Sequence, residues 1–392
     1  MGKMIYMDHS ATTPVKKEVL DEMLPYFSEF YGNPSSVYAL SNQSKVAIDK
    51  AREQVAKALG SKKTEIYFTG GGSESDNWAI KGVAFKNFDK GNHIITTKIE
   101  HHAVLHTCEY LETKGFEVTY LDVDEYGMVS LEDLERSIKD TTILISIMFA
   151  NNEIGTIQPI KEIGALAKKH GVLFHTDAVQ AVGSIEIDVK DMNIDLLSLS
   201  AHKLYGPKGV GALYIKQGLK IDSLITGGAQ ERNKRAGTEN IAGIVGLGKA
   251  IELAYENLED NNKKLISLRE RLIKNIYEKI DYVRLNGHPT ERLPGNVNFC
   301  FQFIEGEALL LSLDMMGIAG SSGSACTSGS LDPSHVLLAI GLSHEIAHGS
   351  LRLSLGTANT EEEVDYVAES LVGIVDRLRK MSPLYENIQG GN

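Results

Sequence analysis

Two apolar runs, each stopped by a charged side chain, constrain this chain most. Gly171-Val-Leu-Phe-His-Thr-Asp177 and Asp195-Leu-Leu-Ser-Leu-Ser-Ala-His-Lys203 read as short buried strands. A parallel α/β sheet has this pattern and keeps its chemistry at the carboxyl ends of its strands. Other runs repeat it. Glu65-Ile-Tyr-Phe-Thr69 precedes Gly70-Gly-Gly72 and a helix start at Ser73. His93-Ile-Ile-Thr-Thr97 precedes Glu100-His101-His102, and residues 141–149 precede Asn151-Asn-Glu-Ile-Gly155. Helical stretches lie between, for example 160–170 with Gly171 as a stop. The alternation predicts a doubly wound α/β domain.

A chain of 392 residues can bury a large core, and two domains are expected. After Gly228 the character changes. Residues 250–279 are rich in Glu, Lys and Leu and predict one long amphipathic helix leaving the first domain. The expected division is a large α/β domain over 15–257 and a smaller α+β domain from 1–14 and 258–392. The smaller domain carries the Ser/Gly-rich segment 319–330.

The formal charge, 40 − 52 = −12, argues against nucleic acid or an anionic membrane as the main partner. Three widely spaced cysteines, Cys108, Cys300 and Cys326, suggest neither a disulfide framework nor a zinc ribbon. With no signal peptide and no apolar run of membrane-spanning length, a cytoplasmic location is expected. His344-Glu-Ile-Ala-His348 matches the zinc-protease pattern His-Glu-x-x-His. Gly349 follows at once and a strand-like run begins, so no metal is expected.

A lysine and an aspartate presented from two strand ends can hold pyridoxal phosphate (PLP). Lys203 would form the Schiff base, and Asp177 would keep the pyridine nitrogen protonated so that the ring accepts electrons. Taken singly, each reads more readily as a loop lysine or a helix-capping aspartate. Gly70-Gly71-Gly72-Ser73, between a strand and a helix, offers a phosphate cup, or else a tight turn. It lacks the Gly-Lys-Ser/Thr of a Walker loop. His101 can stack on the ring face opposite the lysine and move protons, or be a polar loop residue. Asn152, Gln180, Ser200 and His202 fall at or just after strand ends. They suit the phenolic oxygen and the phosphate, and their clustering rather than any one of them is the signal. Arg352, in Ser350-Leu-Arg-Leu-Ser-Leu-Gly356, can grip a carboxylate through two parallel hydrogen bonds or make a structural salt bridge. Cys326 lies in the Ser/Gly-rich segment, which is expected to be mobile. A thiolate there can attack in an enclosed site and swing outward carrying a modification. Cys108 and Cys300 read as small buried hydrophobes.

Together these residues resemble the NifS/IscS-type cysteine desulfurases, fold-type I PLP enzymes of the class-V aminotransferase group. The resemblance runs through Asp8-His-Ser-Ala-Thr-Thr-Pro14, Gly32-Asn-Pro-Ser-Ser36, Phe68-Thr-Gly-Gly-Gly-Ser-Glu-Ser75 and Glu100-His-His-Ala-Val104. It continues in Asn151-Asn-Glu-Ile-Gly155, His175-Thr-Asp-Ala-Val-Gln180 and Ser200-Ala-His-Lys-Leu-Tyr-Gly-Pro207. Arg235-Ala-Gly-Thr238 and Ser321-Ser-Gly-Ser-Ala-Cys-Thr-Ser-Gly329 complete it, the long cysteine segment being that of group I.

The resemblance implies a mostly parallel sheet of the seven-stranded type and a PLP cofactor. Lys203 would be the Schiff-base lysine, Asp177 the partner of the pyridine nitrogen, and His101 the ring-stacking imidazole. Gly72, Ser73, Ser200 and His202 would hold the phosphate and Gln180 the phenolic oxygen. Asn152, Arg352 and Asn33 would bind substrate, and Cys326 would take its sulfur. Thr238 would reach the neighbouring subunit's phosphate, which implies a homodimer. The implied reaction converts L-cysteine to L-alanine, with a persulfide on Cys326 delivered to an iron–sulfur scaffold or a tRNA-thiolating enzyme. A selenocysteine lyase, another class-V reaction and a non-catalytic sulfur-relay scaffold are the competing readings. Three departures stand out. Gly70-Gly71-Gly72-Ser73 replaces Ser-Gly-Ala/Gly-Thr but keeps the hydroxyl, Tyr38 replaces a common histidine, and the tail after Met381 looks shorter than a scaffold-binding tail.

Overall fold

The computed structural model describes residues 4–322, 333–383 and 385. Cys326 lies outside the described residues. Twelve strands occur among them: β1 (Ile5–Tyr6), β2 (Ile66–Thr69), β3 (His93–Thr97), β4 (Glu117–Leu121), β5 (Thr142–Ser146) and β6 (Leu173–Asp177), then β7 (Leu196–Ser200), β8 (Gly211–Ile215), β9 (Val283–Leu285), β10 (Asn296–Phe301), β11 (Ile318–Ala319) and β12 (Ser350–Ser354). Seven form one sheet in the order β2-β8-β7-β6-β5-β3-β4. The pairings from β4 through β3, β5 and β6 to β7 are parallel, and β8 runs antiparallel to both β7 and β2.

Every residue of β3, β5, β7 and β8 is buried, as a sheet covered on both faces requires. Ile94, Leu144 and Leu196 pack with Trp78, Val83, Val104 and Cys108 of the helices Gly72–Lys86 and His102–Glu112. Their neighbours Ile95, Ile145 and Leu197 point the other way, toward Val55, Ile163, Leu247 and Ile251 of the helices Ala39–Ala58, Ile160–His170 and Ile241–Glu256. Each large side chain fully buried in these layers contributes roughly 1.5–3 kcal/mol.

The Ile160–His170 helix ends as expected at Gly171, whose φ of 69° is cheap only for glycine. Two expectations are corrected. The 141–149 run is a strand only over Thr142–Ser146, although Ile147 and Phe149 still donate to the His175 and Asp177 carbonyls. The single helix expected over 250–279 is two helices, Ile241–Glu256 and Leu258–Lys279. Asn257 breaks them because its side-chain amide donates to the Leu253 carbonyl and satisfies the last turn.

A second sheet, β12-β10-β9, is antiparallel throughout. It packs Phe299, Phe301, Leu351 and Leu353 against Leu272, Ile276, Val367 and Leu371. Met7, from the amino-terminal segment, is buried in this cluster, and β1 pairs in parallel with β11. A further cluster unites Ile99, Met148 and Ile154 with Cys300, Val336 and Leu337 where the two layered units meet. No helix among the described residues is long and apolar enough to cross a membrane.

Candidate active site

The carboxyl ends of β5, β6 and β7 lie side by side, and a cavity of about 350 Å³ opens above them. Lys203 ends a turn of 3₁₀-helix, Ala201–Lys203, that follows β7 directly. Its Nζ donates to the carbonyl oxygens of Ser10 and Ala11 at 2.6 and 2.7 Å. Gln180 Nε2 donates to the same Ser10 oxygen at 3.0 Å, so the amide and the amine are held together. Asp177 closes β6, and its Oδ1 accepts from the Val179 amide at 2.9 Å. Burial raises its pKa to about 6, against the pull of the Val179 amide and the Lys203 charge.

On the opposite wall β2 runs into the glycine triplet, and a 15-residue helix starts at Gly72. Gly71 has φ 153°, a conformation that side chains resist. A Cβ at Gly72 would lie 2.7 Å from a Val179 methyl, so the cup needs glycine to sit this close to the loop after β6. Glu74 pins the cup by accepting from the Gly70 amide at 2.7 Å while pairing with Arg235 at 2.8 Å. The first-turn amides, which have no intrahelical acceptor, and the helix dipole then favour an anion. Ser73, Ser200 and His202 line the same cavity.

His101 caps the His102–Glu112 helix, its Nδ1 accepting from the Ala103 amide at 3.1 Å. The neutral ring therefore carries its proton on Nε2. Burial, helped by the Lys203 charge, lowers its pKa to about 4. His202, whose Nδ1 lies 3.1 Å from the Thr12 hydroxyl, is lowered to about 4 for the same two reasons.

Arg352 reaches the cavity from β12 and is 2% exposed. Its Nη1 donates to the Asn152 carbonyl at 3.2 Å and its Nη2 to Asp8 at 2.9 Å. Its Nε is buried without a partner among the described residues, a donor of the kind an incoming carboxylate satisfies.

Ten residues singled out in the sequence thus line one cavity: Gly72, Ser73, His101, Asn152, Asp177, Gln180, Ser200, His202, Lys203 and Arg352. Two others do not. Asn33 is exposed, and its side-chain oxygen accepts from the Ser35 amide. Thr238 is also exposed and borders a separate cleft with Gly70 and Arg235. The described flanks of the Cys326 segment meet the cavity's neighbours. Ser321 exchanges main-chain hydrogen bonds with Arg352 at 3.0 and 2.6 Å, and the Ser334 hydroxyl donates to Glu153 at 2.5 Å. Cys326 is five residues along the chain from Ser321, a span of at most about 18 Å. Cys108 and Cys300 are fully buried. Burial raises both thiol pKa values, that of Cys300 to about 11, and this disfavours a reactive thiolate.

Sequence reasoning missed Ser10, Ala11 and Asp76, all on the cavity wall. Asp76 had one available signal, a carboxylate one helical turn past the glycine cup on a face that is otherwise apolar. The two backbone carbonyls had none.

PLP fits these groups. Its aldehyde suits the Lys203 amine, its ring nitrogen Asp177 and its phosphate the glycine cup, and a bound amino acid's carboxylate suits the buried Arg352 donor. Fold and cavity together define a PLP-dependent enzyme. Residues 5–367 match the class-V aminotransferase family. A cysteine desulfurase IscS of Clostridium botulinum is 67% identical over 99% of this chain and 98% of its own length. A solved NifS-like protein superposes with a TM-score of 0.90 at 42% identity, covering 96% of this chain and all of its own. A structure of SspA in complex with cysteine gives a TM-score of 0.81 at 41% identity over 91% of this chain and all of its own. The chain belongs to the class-V aminotransferase family and, within it, to the cysteine desulfurases.

The buried groups also set a pH dependence. His101, His202 and the fully buried His175, lowered by burial to about 3, stay neutral in the fold. Their contribution is complete above the unfolded histidine value and is lost as pH falls toward 4. The Asp177, Glu153 and Glu100 carboxyls are raised by burial to about 6, 7 and 8. Their contribution is complete below about pH 4 and is lost as pH rises through those values. Between roughly pH 6.5 and 8 only the carboxyl effect remains. The cofactor-free protein should therefore lose thermal stability across that range in a calorimetric pH series. A flat or rising Tm there would contradict the protonation states assigned to these groups.

Proposed function

We propose that this enzyme converts L-cysteine to L-alanine and transfers the sulfur to Cys326. The carrying observation is the convergence of those ten residues, Lys203 and Asp177 foremost, on one cavity. PLP, when bound, supplies an electron sink for the substrate Cα. Lys203 moves the Cα proton, its amine held in place by the Ser10 and Ala11 carbonyls. Asp177 holds a proton on the ring nitrogen, and His101 donates from Nε2. Arg352 and Asn152 orient the substrate carboxylate. The Cys326 thiolate then attacks the substrate sulfur. A sulfur–sulfur bond forms, the bond from Cβ to sulfur breaks, and its electron pair returns to the carbon skeleton, which takes up a proton. The sum is L-cysteine plus a thiol giving L-alanine plus a persulfide, with no outside oxidant or reductant.

Residues 15–257 form the cofactor-binding unit in this reading, with 1–14 and 258–392 forming the unit that presents Arg352 and Cys326. Exposed Thr238 serves the phosphate of a second copy, and the exposed apolar side chains of Leu20, Leu24, Phe27 and Tyr31 support a homodimer. An acceptor protein, either an iron–sulfur scaffold or a tRNA-thiolating enzyme, receives the persulfide in a reducing cytoplasm. The test is one turnover with L-cysteine, followed by amino-acid analysis and peptide mass mapping. Alanine and one added sulfur on the Cys326 peptide should appear in equal amounts. Sulfur on Cys108 or Cys300 instead, or no alanine, would overturn the assignment.

A further inference from the structure

Asp177 is not the cavity's only buried carboxyl. Asp76 sits one turn into the helix whose first turn forms the glycine cup, lines the same cavity and is 1% exposed. Its Oδ1 has no hydrogen-bond partner among the described residues and lies 3.7 Å from His175 Nε2. That imidazole cannot serve as a counter-ion, because it is neutral and its nitrogens lie 2.9 and 3.0 Å from the Ser146 and Ser198 hydroxyls. Asp177 follows His175 by two residues on β6 and so projects to the same side. Glu100, fully buried behind the cavity, adds a third carboxyl that disfavours charge on Asp76. Two carboxylates buried in one wall cannot both ionise cheaply. Burial raises both carboxyls, but Asp177 has the Val179 amide and the Lys203 charge to favour its anion, whereas Asp76 has the pull of a neutral hydroxyl, that of Ser198.

We propose that Asp76 and Asp177 form an acid pair sharing one negative charge beneath the cofactor, with the proton resident on Asp76, which is a reserve counter-ion for the ring nitrogen. The proposal rests on the cofactor reading above and goes one residue beyond it. Asp76 acts as a positioning residue that keeps the charge on Asp177. Removing the Asp177 charge removes the repulsion, so Asp76 ionises in its place. The two groups titrate as a pair.

Two measurements test this on Asp76→Asn, Asp177→Asn and the double variant. In equilibrium PLP titrations at pH 7.5, Asp76→Asn should change affinity by no more than about threefold and Asp177→Asn should weaken it about tenfold. The double variant should fall at least about tenfold below the product of the singles, the scale of coupling between neighbouring groups. Additive effects would overturn the pair, as would a tenfold loss from Asp76→Asn alone, which would mean that Asp76 carries the charge. The second readout is the cofactor-free protein. A carboxyl whose pKa is raised in the fold loses its contribution as pH rises, so Asp76→Asn should flatten the fall in Tm on the alkaline side. An unchanged slope would also overturn the proposal. If the unsubstituted chain takes up no PLP, the cofactor reading fails, and this second measurement still decides on the pair.

Discussion

Replacing Lys203 with alanine is expected to lower alanine formation from L-cysteine by at least about 10³-fold, since proton transfer by a positioned group alone is worth 10²–10⁴. The fold should survive. Nζ bonds two backbone carbonyls that lie on a half-buried segment, and losing such contacts costs about 1–3 kcal/mol. PLP added to the variant would still find the glycine cup and Asp177. The phosphate and ring contacts are thereby separated from the amine chemistry. Single-turnover alanine assays on the folded variant are the measurement. Alanine formed at the parent rate would remove Lys203 from the chemistry.

The second large effect is expected from Cys326→Ala. This variant should keep the cofactor's absorption and its spectral response to L-cysteine, because none of the cavity groups is touched. The persulfide should be absent from the peptide map. Alanine production should fall by at least about 10²-fold, the scale on which losing a positioned reacting group acts. Multiple turnovers at the parent rate would show that sulfur leaves by another route. The two variants fail at different points, one at the proton on Cα and the other at the substrate sulfur, so together they locate each half of the reaction.

Much of the site was legible because its residues terminate strands. Asp177 and Lys203 each follow a short run rich in apolar residues, and β6 and β7 end within a residue or a turn of them. Gly171 marked a helix end for the same local reason, a left-handed backbone that glycine adopts freely. The break at Asn257 was not legible, because helical periodicity continues through it and only a side-chain-to-backbone bond marks it. β8 was missed as well. Its reversal beside β7 is a matter of pairing across the sheet rather than of composition. Asn33 shows the converse limit. A shared motif placed it with the substrate, yet within this chain it caps a turn at Ser35.

The order of residues along the chain supplied the candidates for the proposed chemistry: an amine, an acid for a ring nitrogen, an anion cup and a thiol. These depend on residue type and on the ends of locally determined elements. Their assembly was decided by the tertiary structure alone. It brought Arg352 on β12 within hydrogen-bonding distance of the Asn152 carbonyl and of Asp8, and it anchored Lys203 on the carbonyls of Ser10 and Ala11. It also set Asp76 beside His175 with an oxygen unpaired among the described residues. Such contacts join positions up to 344 residues apart. The packing of the hydrophobic clusters around the two sheets, and no local pattern, determines whether they meet.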